Sequence, residues 1–179
     1  MSAAAIPSSF EITRLSSEPQ LTVTFDSRHG FLHMKKCSWV SRSRKLDIVG
    51  KVRILLADDH HAVLQRLCEL LDEDFEIVGT ANNGRDAVVA TLRLNPDVLV
   101  IDISMPVLNG LQAALQLRSA KQPTKIVVLT MHTDRDFVSA ALSAGALGYV
   151  TKSDVATDLV PAIHEALAGR TYISKSIGQ

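Results

Sequence analysis

From Lys51 onward, short apolar runs alternate with longer segments in which apolar residues recur at helical spacing. Short apolar runs are typical of strands buried on both faces, and the longer segments are typical of amphipathic helices. The pattern predicts strands at 52–57, 75–81, 98–101, 125–130 and 147–150, and helices at 60–72, 84–94, 109–120, 134–144 and 156–168. This regular repeat of strand and helix predicts a parallel sheet with helices on both faces.

The polarity of the strands favours one arrangement of this sheet. The second strand is the most polar, so we place it at an edge. Right-handed crossovers then leave the order 2-1-3-4-5 as the best fit. The predicted fold class is therefore α/β, a five-stranded parallel sheet of the flavodoxin-like (βα)5 type. Its switch point, where ligands bind in such sheets, lies between the first and third strands.

Chemically useful side chains follow four of the five strands. Asp58 and Asp59 follow the first strand, Asp102 follows the third, Thr130 ends the fourth, and Lys152 follows the fifth. Three carboxylates at one switch point repel by several kcal/mol at a low effective dielectric, roughly 332/(εr) for each pair. Carboxylate oxygens with no His or Cys expected nearby favour Mg²⁺ as the compensating cation. Taken alone, Asp102 is better explained as the cap of the next turn, because Asp is common at turns.

The overall composition excludes several classes of protein. The formal net charge is zero and 46% of the residues are apolar, which is typical of a globular domain. No basic face large enough for nucleic acid is evident in the folded part. Cys37 and Cys68 show no metal-ligand spacing, so a reducing compartment is expected. Without a membrane-spanning run or a signal peptide, we expect a cytoplasmic protein with no membrane partner.

The domain organisation follows from a change in the sequence pattern near residue 50, where the alternation of predicted strands and helices begins. Residues 1–50 are rich in Ser and carry a net charge of +3, against −3 for 51–179. Their small apolar content predicts a disordered N-terminal extension, although the basic cluster 41–45 is also suited to acidic lipid or nucleic acid. Met34 is an alternative start. Residues 51–170 are predicted to form the folded domain, and 171–179 a short C-terminal tail.

The motifs at the strand ends resemble those of a known family. Ala57-Asp58-Asp59-His60, Asp102-Ile103-Ser104-Met105-Pro106, Leu129-Thr130 and Gly148-Tyr149-Val150-Thr151-Lys152 resemble the receiver domain of two-component response regulators. The Asp-Asp-His start, 129–132 and 145–149 resemble the NarL/FixJ subfamily in particular. The resemblance covers residues 52–169.

The resemblance implies a role for each acidic residue. Asp102 would accept a phosphoryl group from a sensor histidine kinase or phosphotransfer protein, in a phosphorelay that uses Mg²⁺ as cofactor. The implied metal ligands are Asp59, Asp58 (directly or through water), Asp102 and the backbone carbonyl of Ser104. Asp58 and Asp59 are also explained as an N-cap pair of the following helix, a role compatible with metal binding.

The remaining implied residues act on the phosphoryl group or on the switch. Lys152 would pair with the phosphoryl oxygens, Thr130 would turn to hydrogen-bond them, and Tyr149 would turn inward as Thr130 moves. Ser104 and His132 would flank the phosphoryl group and tune its lifetime. Tyr149 as plain core filling and His132 as a solvated loop residue remain open alternatives. His60 and His61 are most simply residues of a helix start.

Three functions compete at this stage. The favoured one is a stand-alone phosphoacceptor that signals to a downstream protein, not an enzyme beyond its self-catalysed phosphotransfer and slow autodephosphorylation. The second is the receiver part of a truncated NarL/FixJ-type DNA-binding regulator, because only five residues follow Tyr172-Ile173-Ser174. This chain itself is then not expected to contact DNA, whereas a homodimer stays open. The third is an Asp-nucleophile phosphatase, disfavoured because Ser104 stands where haloacid dehalogenases have a second Asp.

Two departures from the family pattern concern the end of the domain. Many receivers have a Pro in cis after the equivalent of Lys152, and this chain has Ser153. Pro161 falls inside the last predicted helix, where a kink is expected unless the helix starts near Thr157.

Overall fold

The computed structural model describes residues 50–177 as alternating strands and helices. The predicted N-terminal extension, its basic cluster 41–45 and Cys37 lie outside the described residues. The elements are β1 (Arg53–Ala57), α1 (His61–Leu71), β2 (Glu76–Ala81), α2 (Gly84–Leu94), β3 (Val98–Ile101), α3 (Gly110–Ser119), β4 (Lys125–Thr130), α4 (Arg135–Ala144), β5 (Gly148–Thr151), α5 (Val155–Leu167) and β6 (Tyr172–Ile173).

The strands form one parallel sheet in the order β2-β1-β3-β4-β5-β6. The predicted order of the first five strands is confirmed, including the edge position of the polar second strand. The register aligns the carboxyl ends, with Ala57 opposite Ile101 and Thr130 opposite Thr151. The residues that follow these strands therefore emerge at the same edge of the sheet.

The prediction of five strands was short by one, because β6 was assigned to a tail. Gly148 pairs with Tyr172 and Tyr149 with Ile173. The backbone N–H of Tyr172 donates to the carbonyl of Leu147 at 2.8 Å, and that of Ser174 to the carbonyl of Tyr149 at 2.9 Å. A strand of two residues is too short to show the alternation of apolar and polar positions by which a strand is predicted. The formation of β6 therefore depends on its pairing with the otherwise exposed edge of β5.

Alternate side chains of each central strand supply the two faces of the sheet. In β3, Leu99 and Ile101 pack on one side with α2, α3 and α4, whereas Val98 and Val100 pack on the other with α1 and α5. All four side chains are buried. A strand covered on both faces is apolar throughout, which explains the unbroken run seen in the sequence.

The helices begin and end at residues suited to those positions. Asn109 and Gln112 form a capping box at the start of α3. Asn83 accepts a hydrogen bond from the backbone of Asp86 at 2.9 Å to cap α2, and α4 ends at Gly145 with φ of 101°. Pro161 is the seventh residue of α5, which continues through it to Leu167. Within the described part, no helix is long and apolar enough to cross a bilayer.

Candidate functional site

The carboxyl ends of β1 and β3 bring the predicted acidic residues together. The backbone N–H of Asp102 donates to the carbonyl of Ala57 at 2.9 Å, so the two adjacent strands end side by side. Asp58 and Asp102 are 1% and 3% exposed, and the side chain of Asp59 is 29% exposed. Two of the three carboxylates are therefore withdrawn from water, where a negative charge requires a nearby cation.

Lys152 supplies part of that positive charge. Its Nζ lies 2.6 Å from Asp58 Oδ2 and 2.9 Å from Asp102 Oδ2, and its side chain is 14% exposed. Its backbone N–H donates to the carbonyl of Thr130 at 2.8 Å, which fixes the start of the β5–α5 loop. Burial lowers the pKa of Lys152, but the attraction of Asp102 and Asp58 outweighs it, so the pKa is raised.

The site nevertheless keeps an excess of negative charge. One lysine opposes three carboxylates, which leaves a formal charge of −2. Asp102 Oδ1 is buried and accepts no hydrogen bond within residues 50–177, whereas the buried Asp58 Oδ2 contacts the Lys152 ammonium at 2.6 Å. Hard anionic oxygens with spare lone pairs are the donors that Mg²⁺ takes, so the residues fit this ion. Receiver domains generally bind Mg²⁺ at such an acidic pocket; the contribution of the Ser104 carbonyl stays a prediction.

Thr130 and Tyr149 both contact the loop that follows β4. Thr130 is fully buried, and its Oγ1 accepts a hydrogen bond from the backbone N–H of His132 at 3.2 Å. Tyr149 is also fully buried, and its hydroxyl donates to the carbonyl of His132 at 3.0 Å. Burial, followed by the charges of Asp134 and Asp102, raises the pKa of Tyr149 to about 12. Tyr149 therefore fills the core and also holds this loop.

His132 is a half-buried residue of the loop after β4, and its ring contacts Ser104 and Phe137. Its Nε2 lies 2.9 Å from Ser104 Oγ, and its ring stacks on Phe137 with centroids 4.1 Å apart. This contact joins the loop after β3 to the start of α4. The pair stands at the rim of the acidic site, because Ser104 is exposed two residues beyond Asp102.

His60 is a site neighbour that the sequence analysis missed. It is the N-cap residue of α1, as a helix-start assignment requires, and this position excludes Asp58 and Asp59 as the cap. Its ring Nδ1 lies 2.8 Å from Asp59 Oδ1 and 3.3 Å from Asp58 Oδ1. The position of His60 directly after Asp58 and Asp59 was the sequence signal for this contact. Its backbone is extended at the N-cap of α1, and its ring therefore lies beside the side chains of the two preceding residues.

The fold and this site define a class of protein. Residues 54–164 match the family model described as the response regulator receiver domain, so the chain belongs to that family. It is a receiver domain of two-component response regulators, a signalling domain whose members interact with histidine kinases or phosphotransfer proteins. Its relatives are response regulators of the NarL/LuxR group.

Particular relatives place the chain more closely. It is 35% identical over 130 residues to the response regulator GacA of Pseudomonas aeruginosa, covering 72% of this chain and 61% of GacA. It is 33% identical to the response regulator UvrY of Escherichia coli, covering 72% and 60%. The chain therefore spans about three fifths of the length of these relatives.

Solved structures give the same picture. A LuxR-family response regulator from Aurantimonas sp. has a TM-score of 0.69 at 34% identity, with 73% of this chain and 94% of that one covered. The receiver domain of the putative response regulator NarL from Mycobacterium tuberculosis has a TM-score of 0.65 at 31% identity, with 68% and 100% covered.

Proposed function

We propose that Asp102 is the phosphoacceptor of this receiver. The observation that supports this most directly is Asp102 Oδ1, a buried carboxylate oxygen that accepts no hydrogen bond from the described residues. Its lone pairs are available for attack, while Oδ2 is held 2.9 Å from Lys152 Nζ. An anchored carboxylate with one unengaged oxygen is suited to in-line displacement at phosphorus.

The proposed phosphoryl transfer forms one bond to phosphorus and breaks another. A carboxylate oxygen of Asp102 forms a bond to phosphorus as the bond from phosphorus to the donor's imidazole nitrogen breaks, and that nitrogen keeps the bonding electrons. Lys152 offsets the charge that develops on the phosphoryl oxygens. Mg²⁺, held by Asp58, Asp59, Asp102 and the Ser104 carbonyl, would supply further charge neutralisation when bound. The product is an acyl phosphate, and we propose that only slow self-catalysed hydrolysis follows.

Phosphorylation would then act on the loop that carries His132. An aspartyl phosphate offers new acceptor oxygens to the Thr130 hydroxyl and to Lys152. Thr130 and Tyr149 both hold His132, so a change at the Thr130 hydroxyl reaches α4 and β5 through this loop. A switch from 1:99 to 99:1 requires about 5.5 kcal/mol of difference between the two states. A few charge-assisted hydrogen bonds, at about 1.5–3 kcal/mol each, are enough for this.

A groove beside Lys152 offers the phosphoryl-donor protein a surface on which to bind. A groove of about 470 Å³ runs between α1 and the β5–α5 loop, and its apolar lining includes Ala62, Val63, Leu67, Leu129 and Ala156. Lys152 and Ser153 also line this groove, and Lys152 Nζ contacts Asp58 and Asp102, so a protein seated there lies next to the acidic site. We propose that the sensor kinase or phosphotransfer protein presents its phosphohistidine from this side.

The output of the domain has two candidates. In the first, the surface of α4 and β5 that changes on phosphorylation contacts a downstream protein. The second is the control of transcription as the receiver part of a longer DNA-binding regulator. The second is favoured by the names of several relatives, such as the transcriptional regulatory protein DegU of Brevibacillus brevis, of which the chain spans 55%.

The test of the proposed function is labelling with a small phosphodonor. The full chain is incubated with acetyl phosphate with and without MgCl₂, and the phosphorylated fraction is read by intact-mass spectrometry. We expect labelling that requires Mg²⁺ and is lost in Asp102→Asn. Asp74→Asn, which changes an exposed carboxylate in the turn between α1 and β2, should label like the unaltered chain. Equal labelling of Asp102→Asn and the unaltered chain would contradict the assignment.

A further inference from the structure

The segment that follows α5 wraps around the edge of β5. Its strand β6 pairs in parallel with Gly148 and Tyr149 of β5. Tyr172 packs against the buried cluster on the α1 and α5 side of the sheet, whereas Ile177 packs against the cluster on the α2, α3 and α4 side. Residues 172–177, the C-terminal strap, therefore contact both faces of the sheet at this edge.

Hydroxyl groups bind the C-terminal strap to the loop after β5. Asp154 Oδ2 accepts a hydrogen bond from Thr151 Oγ1 at 2.7 Å and another from Ser176 Oγ. Ser174 Oγ accepts the backbone N–H of Thr151 at 3.4 Å. Thr151 and Ser174 are 1% and 2% exposed. Because buried polar groups need hydrogen-bond partners, the strap and the loop satisfy each other at this contact.

The same loop carries Lys152, whose Nζ contacts Asp58 and Asp102. Thr151 precedes Lys152 in the chain and Ser153 follows it, and the hydroxyl oxygens of these two residues lie 2.9 Å apart. Both chain neighbours of Lys152 therefore belong to the hydrogen-bonded cluster that holds the strap. A displacement of the Lys152 backbone reaches this cluster within one residue.

Tyr149 connects the C-terminal strap to the loop after β4. Its carbonyl accepts the backbone N–H of Ser174 at 2.9 Å, and its hydroxyl donates to the carbonyl of His132 at 3.0 Å. The backbone N–H of His132 donates to Thr130 Oγ1 at 3.2 Å. Thr130 and Lys152 are thus connected to the strap by two separate routes.

We propose that the C-terminal strap is bound to β5 while Asp102 is unphosphorylated and detaches when Asp102 carries a phosphoryl group. The strap contacts form with Lys152 held against the carboxylate oxygens of Asp58 and Asp102. Phosphoryl oxygens lie farther from the end of β3 than those carboxylate oxygens, so Lys152 and its neighbours shift to reach them. Only two residues of the strap pair with β5, so its local opening costs far less than global unfolding. The inference rests on the proposed function and adds an element that phosphorylation regulates.

Linkage makes this coupling reciprocal. If phosphorylation releases the strap, then a change that weakens the strap favours the phosphorylated state by the same factor. Ser176→Ala removes the hydrogen bond from the strap to Asp154 and leaves Lys152 and the three aspartates of the site unchanged. We expect its phosphorylated-to-unphosphorylated ratio at a limiting acetyl phosphate concentration to rise about twofold or more.

The test is amide hydrogen exchange of the full chain with MgCl₂, with and without excess acetyl phosphate, read by mass spectrometry of peptides that cover the strap. The backbone N–H groups of Tyr172 and Ser174 donate to carbonyls of β5, and we expect both to exchange about tenfold faster or more after phosphorylation. The N–H of Glu76, which donates to Val52 at the opposite edge of the sheet, should exchange at the same rate in both samples. Ser176→Ala should exchange faster in the strap without phosphodonor, whereas Ser119→Ala, which removes an exposed hydroxyl of α3, should match the unaltered chain.

The intact mass of each sample separates the two possible failures. A labelled chain whose strap exchanges at an unchanged or slower rate would overturn the coupling and leave the proposed function intact. Equal phosphorylation of Ser176→Ala and the unaltered chain would also overturn it, because the strap would then be only a structural element. A chain that takes no label would contradict the proposed function itself, and the inference with it.

Discussion

Lys152 Nζ lies 2.9 Å from Asp102 Oδ2, although fifty positions separate the two residues in the chain. The same ammonium lies 2.6 Å from Asp58 Oδ2, so one cation bridges the residues that follow two adjacent strands. This bridge lowers the repulsion between buried carboxylates and holds a positive charge where a phosphoryl group would arrive.

Removal of this cation should weaken the fold as well as the phosphorylation. In Lys152→Ala, Asp58 and Asp102 stay buried without their partner, and we expect a loss of about 1–3 kcal/mol in the free energy of unfolding. Urea denaturation measures it, and added MgCl₂ should restore part of the loss. Lys125→Ala, at the opposite end of the sheet, should change stability little. A Lys152→Ala variant as stable as the unaltered chain would show that the bridge contributes nothing net.

Lys152 also predicts a dependence of stability on alkaline pH. Its pKa is raised in the folded state, so the unfolded chain loses this proton first as the pH rises. The contribution to stability is complete below the pKa of the unfolded lysine and declines as the pH passes through the higher folded value. Urea denaturation across alkaline pH should show a steeper decline for the unaltered chain than for Lys152→Ala. Parallel declines in the two proteins would argue against this linkage.

Tyr149 should ionise well above the usual range. Burial and the charges of Asp134 and Asp102 raise its pKa to about 12, so phenolate absorbance from Tyr149 should develop there. The chain has one other tyrosine, Tyr172, so the difference between the titrations of the unaltered chain and Tyr149→Phe isolates the signal. A Tyr149 that titrates near 10 would mean that its ring reaches solvent. The Phe variant also loses the hydrogen bond to His132 and should be about 1 kcal/mol less stable.

Ser104 and His132 should act as a unit on the lifetime of the acyl phosphate. Their hydrogen bond places a hydroxyl and an imidazole at the rim of the site, where they can orient a water for attack. We expect Ser104→Ala and His132→Ala each to lengthen the lifetime by roughly threefold to tenfold, a modest general-base effect. The double variant should decay no more slowly than the slower single variant.

The measurement for this pair is the loss of phosphorylated protein over time, read by mass after removal of the phosphodonor. Ser119→Ala is the control, because its exposed hydroxyl donates to the carbonyl of Leu115 within α3, away from the acidic site. Independent, multiplicative effects of the two substitutions would show that Ser104 and His132 do not cooperate.

Gly110 should tolerate no side chain. A Cβ at this position would stand 2.1 Å from the backbone carbonyl oxygen of Asp102, so either α3 or the loop after β3 must shift. We expect Gly110→Ala to lower the free energy of unfolding by about 1–3 kcal/mol, the usual cost of overpacking. Gly50→Ala meets nothing within 4 Å and serves as the control in the same denaturation series. A neutral Gly110→Ala would indicate that this loop moves at little cost.

Much of the fold could be predicted because its signals are local. The β3 run Val98–Ile101 is apolar throughout because both faces of the strand are covered. The polar residues of the second strand predicted its position at an edge of the sheet. Asn109 and Gly145 marked helix ends by their own chemistry. The convergence of Asp58, Asp102 and Lys152 followed from the rule that parallel strands end at the same edge.

Other features depended on contacts between distant segments. β6 forms only because β5 offers unpaired backbone groups to Tyr172 and Ser174, and no pattern within two residues encodes that. The contact between Ser104 and His132 joins loops 28 positions apart, and the nearness of His60 to Asp58 and Asp59 depends on one extended backbone residue. The sequence by itself thus determined the strand order and which residues reach the site, since periodicity and strand ends are local properties. Only the tertiary structure decided which atoms meet there, because hydrogen bonds and ion pairs depend on the relative placement of loops that no local period describes.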